Sequence, residues 1–176
     1  MTFEIRVLNP EHYRKETRRV AFFVIGCFFI QAMLFATLSV QLFGTPGTDN
    51  FRFNLAGVIA GVISTILLVR FQFWNKPWMA SAVYGWQLKR HLMRLTNVMH
   101  HIKAGVIKED ENALNALRFY HLGLIQMCQL DNNPTGVSHL VHEIDQHKER
   151  MEALGLISEQ TRWNEQWIEA VRRFKA

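Results

Sequence analysis

Two apolar runs dominate the pattern along the chain. Val20 to Phe43 holds no charged residue, and its strongly polar side chains are Gln31 and Gln41. Leu55 to Val69 is equally clean, then meets Arg70 and closes on Phe71, Phe73 and Trp74. At a rise of ~1.5 Å per residue, about twenty apolar residues match a ~30 Å hydrocarbon core. The second run reaches that length because an arginine at a helix end can snorkel to the headgroups, where Phe and Trp also sit well. Both runs are apolar all round, so in water each would need a core on every side. Polar residues precede the first run and no small-residue cleavage pattern follows it, which argues for an anchor rather than a secretory signal. The expectation is a transmembrane helical hairpin over 20–74, with spans at 20–43 and 55–74 and an outer loop at 44–54. In that loop Thr45-Pro46-Gly47 is turn chemistry, Pro presetting φ and Gly allowing a positive φ.

Beyond the second run the period changes to that of amphipathic helices. Gly85, Leu88, Leu92, Leu95, Met99, Ile102 and Val106 recur in steps of three and four, so one helix is predicted from near Pro77 to Gly105. Asp110 is positioned to cap a second helix ending near Leu130, with a seam of Leu114, Leu117, His121, Leu124 and Cys128. Asn133-Pro134 opens a third, carrying Leu140, Ile144, His147, Met151 and Leu154, and Gly155 stops it. A short last helix spans about 164–174. Short links favour antiparallel neighbours. The predicted fold is all-α: a basic arm at 1–19, the hairpin at 20–74, and a three- to four-helix bundle at 75–176.

Charge orients the hairpin. Arg6, Arg14, Lys15, Arg18 and Arg19 precede it, Arg52 alone stands in the loop, and Arg70, Lys76, Lys89, Arg90 and Arg94 follow. Positive outer flanks put both termini in the cytoplasm, with those last five residues as a basic belt at the inner leaflet. The net charge of +5 is uneven: no acid lies between Asn50 and Lys108, and acids outnumber bases from Glu109 onward. The expected partners are membrane lipids, anionic at the cytoplasmic face. The acidic distal half and the lack of a recognised motif speak against nucleic acid. Cys27 and Cys128 fall in different segments, one inside the first run, so no disulfide framework is expected.

The stretches FRFNLAGVIAG (51–61), KPWMASAVYGWQLKRHLMRLTNVMHHIKAG (76–105), LRFYHLGLIQMCQLD (117–131) and MEALGL (151–156) resemble an uncharacterised family of small two-span proteobacterial inner-membrane proteins, a domain of unknown function. The resemblance implies a bacterial inner membrane, and it carries no activity, cofactor or functional residue with it.

Candidate chemistry is sparse. Six of the eight histidines lie beyond residue 99. His139, Glu143 and His147 recur every four residues and could share a face as metal ligands, but the HExxH and ExxH spacings of metal helices are absent. His121 and His147 occupy seam positions among Leu, Ile and Met. A buried imidazole needs partners, so the pair either sets helix register, with Tyr120 or Gln126, or forms a proton- or ligand-binding spot. Neither a catalytic triad nor a phosphate-cradling loop is found, so no enzyme activity and no cofactor are expected. Gly57 and Gly61 form GxxxG, a close-packing face for the first span or for a second copy. Trp163, Trp167 and Phe174 could anchor a partner or pack on their own bundle. The two functions in view are a non-catalytic membrane-anchored interaction or scaffold protein, bound to another copy or another membrane protein, and a ligand- or metal-dependent sensor or enzyme built on the buried histidines.

Overall fold

The computed structural model describes residues 3–174, apart from the side chains of Pro134 and His139. It is helical throughout, with an isolated antiparallel bridge between Glu4 and Arg162 and no strand among the described residues. The chain forms two compact units, Lys15–Val83 and the pair of segments Met1–Arg14 and Tyr84–Ala176.

In the first unit, α1 (Pro10–Phe43) and α2 (Phe51–Leu68) make the hairpin. The helix that carries the first span begins within the predicted basic arm: Asn9 Oδ1 accepts from the amides of Glu11 and His12, and Pro10 starts the helix. At the turn, Gly47 has φ +79°, as the Thr-Pro-Gly signal requires. Asp49 accepts from the Phe51 amide, which starts α2 ahead of the expected Leu55. Gly57 and Gly61 lie against α1, where an added Cβ would stand 2.4 Å from Ala36 Cα and 2.7 Å from Ala32 Cα. The GxxxG face is thus filled by the first span of the same hairpin. Ser64 hydrogen-bonds Gln31 across it, satisfying the polar interruption of that span. After Leu68 the chain takes a π-helical turn, Val69–Phe73, in which the Trp74 amide reaches back to the Val69 carbonyl at 2.9 Å. A 3₁₀ turn, Pro77–Met79, follows.

The second unit is built from α3 (Ala80–Thr96, from Tyr84 onward), α4 (Met99–Ile107), α5 (Glu111–Leu130), α6 (Val141–Ala153) and α7 (Gln166–Val171). The single helix expected over 77–105 is interrupted at Asn97 and Val98, next to Thr96, residues of modest helix propensity. The step still leaves Leu95, Val98 and Ile102 all in the core. Asp110 caps α5 as the sequence predicts, its Oδ1 accepting from the Ala113 amide at 3.1 Å, while Oδ2 pairs with Arg173. Asp110→Ala should therefore cost about 1 kcal/mol. Asp110→Asn, which keeps the cap, should stay near wild type in the same chemical-denaturation series. Gly155, with φ +70°, ends α6, and the Leu156 amide returns to the Met151 carbonyl.

Two clusters fill this unit. Leu95, Ile102, Leu117, Phe119, Trp163, Trp167 and Val171 form one; Tyr13, Tyr84, Leu88, Leu92, Met127 and Leu130 form the other. Fully burying such side chains contributes roughly 1.5–3 kcal/mol each. Phe3 and Ile5 pack on both, and the Trp163 amide donates to the Phe3 carbonyl. The start of the segment predicted as a basic arm is thus part of the fold.

Candidate functional site

The seam between α5 and α6 holds the two histidines singled out by spacing. His121 and His147 are 2 % and 6 % exposed, with ring centroids 5.3 Å apart and planes nearly perpendicular. His147 Nε2–H donates to the Leu114 carbonyl of α5 at 3.0 Å, a bond that fixes one helix against the other. One turn before His121 comes Arg118, also buried, whose Nε donates to the Ser158 carbonyl at 2.7 Å. Arg118 Nη1 and His121 Nδ1 are buried without a hydrogen-bond partner in the protein.

The electrostatics run one way. Burial, then His147, Arg118 and Lys103, press the His121 pKa down to about 3. Burial also lowers that of His147, helped by Arg118 and Arg150 and opposed by the Leu114 carbonyl and Glu143. Both rings are therefore neutral at pH 7. The arrangement can hold helix register while neutral, and it can take up a proton only at a cost to the packed state. Tyr120, one of the partners considered from sequence, touches His121 with its ring at 6.2 Å.

The metal reading of His139, Glu143 and His147 does not assemble. His147 faces the seam, Glu143 pairs with Lys103 at 3.7 Å, and the His139 side chain lies outside the described residues. No group of three His, Cys, Asp or Glu that could hold a metal is found among the described residues. The basic belt is largely engaged: Lys89 pairs with Asp131 at 3.5 Å, Arg90 lies over Trp86 and Arg70 over Trp74. Arg94 forks onto Glu165 and covers Trp163. That fork, with the Trp163 indole N–H, holds the Glu165 carboxyl down at about 2. Lys76 is exposed.

Of the two alternatives for Trp163 and Trp167, the structure shows packing on their own bundle: they are core residues, 5 % and 3 % exposed. They pack on Phe119, with ring centroids at 5.5 and 5.7 Å. Phe174 is half-buried, between Lys108 and Arg173. The residue that spacing overlooked is His91. It stacks on Phe3 at 4.7 Å, meets Trp163 edge-on at 4.6 Å, and burial lowers its pKa. Its place three residues after Leu88 and four before Leu95 was the available signal.

With this geometry in hand, comparison with known proteins adds a family and no activity. A family model described as "Protein of unknown function (DUF3087)" matches residues 3–168, and the chain belongs to that family. No curated protein and no solved structure matches it.

Proposed function

We propose that this member of the DUF3087 family is a two-span protein of the bacterial inner membrane, with both termini cytoplasmic, serving as a non-catalytic interaction or scaffold module. The observation that carries the reading is the apolar surface of the hairpin. Only 11 % and 17 % of the most apolar windows of its two long helices are buried. Phe22, Phe29, Ile30, Met33, Ile59 and Ile66 are all more than half exposed. A core helix of a water-soluble protein would bury such a face, and contiguous apolar surface on this scale marks a membrane or a partner. Lys/Arg asymmetry supports the orientation, and the exposed Arg70 and Lys76 suit an anionic leaflet. Exposed Ile107 and Ile157 on the helical unit suit contact with a second copy or another membrane protein.

The test is extraction of native membranes with alkaline carbonate, paired with reporter fusions at the 45–50 turn and after residue 176. Retention in the pellet, a periplasmic reporter at the turn and a cytoplasmic one at the end are expected. Release into the supernatant would sink the reading. The intact mass of the complex purified at native abundance then names the partner. The buried histidine pair favours a second reading, a proton-dependent sensor, in which acidification within a physiological range changes that mass.

A further inference from the structure

The hairpin unit contains a pocket of about 480 Å³ lined by Glu16, Arg19, Val20 and Phe23 of α1, Phe73 of the π-helical turn and Trp78 of the 3₁₀ turn. The four α1 residues form one stripe at three- and four-residue steps, so its charged and apolar parts are stacked along a single helix face. Three rings close the apolar part: Phe23–Phe73 at 5.5 Å, Phe23–Trp78 at 5.1 Å and Phe73–Trp78 at 5.3 Å, all steeply inclined. At the polar end, Ser81 Oγ donates to the Glu16 carboxylate, holding it in place. Phe73 enters through the π turn, a local departure from α-geometry of the kind that recurs at functional sites.

The chemistry of this lining is that of an amphiphile carrying both signs of charge. Glu16 and Arg19 stand one turn apart at the polar end of the first apolar run, and Phe73 stands at the end of the second. Within a bilayer that is the depth of headgroup and glycerol, so this step rests on the membrane reading above. A headgroup with only a negative charge would bring its phosphate beside the Glu16 carboxylate. An ammonium two carbons from a phosphate instead meets both groups, the amine at Glu16 and the phosphate at the Arg19 guanidinium, which suits phosphate geometry. The glycerol and first methylenes fit the three rings at the apolar end. A volume of this size is in the range that holds such a group.

We propose that this pocket is a binding site for one phospholipid with a primary-amine zwitterionic headgroup, of the phosphoethanolamine class. The test uses the full chain in detergent, offered phosphatidylethanolamine, phosphatidylcholine and phosphatidylglycerol in equal amounts, with bound lipid counted by native mass spectrometry. Phosphatidylethanolamine should bind about tenfold better than either competitor, the scale of one charge-assisted contact. Glu16→Gln should abolish the preference over phosphatidylglycerol, Arg19→Gln should weaken all three, and helix content by circular dichroism should be unchanged in both. Equal binding of the three lipids, preference for phosphatidylglycerol, or an unchanged preference in Glu16→Gln would each overturn the site. Carbonate extraction of the native membranes from which each preparation is made separates the two readings. Protein that stays in the membrane without lipid preference overturns the site alone, whereas protein released from the membrane overturns the membrane reading with it.

Discussion

Substituting Gly57 and Gly61 together by alanine is expected to destabilise the hairpin by several kcal/mol. Each new methyl would stand within 2.7 Å of α1 backbone atoms, 2.4 Å in the case of Gly57 and Ala36. Backbone cannot swing away as the tip of a flexible side chain can, so relief requires the two helices to separate. Overpacking of this kind costs typically about 1–3 kcal/mol per site. Separation also forfeits the Ser64–Gln31 hydrogen bond across the interface. Thermal melts of the detergent-solubilised chain, followed by circular dichroism, should show the double variant falling well below wild type, with Gly57→Ala the worse of the two single changes. A melt within a degree or two of wild type, accompanied by loss of an oligomer in sedimentation, would instead give the motif to a second copy.

Acidification should produce the other large effect. The unfolded-state pKa of a histidine is near 6.5, and His121 in the fold lies at about 3. Between those values the unfolded chain binds the proton and the folded chain does not, so stability falls as pH falls. The contribution is fully present above pH 6.5 and is lost progressively toward pH 3. At pH 5 the loss from His121 alone is about 2 kcal/mol. His147, lowered for the same reason, acts in the same direction. The titratable and charged groups facing His121 from its surroundings are Arg118 of α5, Lys103 of α4 and His147 of α6, and each disfavours a positive imidazole. A melting temperature lower by roughly 10 °C at pH 5 than at pH 7.5 is the expected size for a unit this small. His121→Leu should flatten that slope and leave stability at pH 7.5 unchanged or higher, since it removes an unpartnered polar atom. If the slope survives in that variant, the acid sensitivity belongs elsewhere. If His121→Leu unfolds the protein at neutral pH, the ring has a structural hydrogen bond that its geometry does not display.

The hairpin helices, the turn at Pro46-Gly47, the Asp110 cap, the Gly155 stop and the seam positions of His121 and His147 were all legible along the chain. Each depends on residues within a turn or two of one another, where rise, period and capping chemistry act. The interruption at Asn97 was harder, because the seam of Leu95, Met99 and Ile102 continues across it and only weak propensity marks the break. The fate of Trp163 and Trp167 could not be read locally, since the same aromatic spacing serves a free surface or a core. What decides it is Phe119 on α5, more than forty positions away.

By itself, then, the sequence determined two long apolar helices, the all-α class, the distribution of charge and the burial of two histidines. Only the tertiary structure decided that the segment around residues 3–6 joins elements far along the chain. Glu4 bridges Arg162, and the amide of Arg6 donates to the Tyr84 hydroxyl, 78 positions on. It also decided that GxxxG meets Ala32 and Ala36, and that three rings from separate elements close one pocket. Those contacts arise from packing between segments distant in the chain. Each of many partners could satisfy the same local pattern, and the choice is made only when the whole apolar surface is shared out.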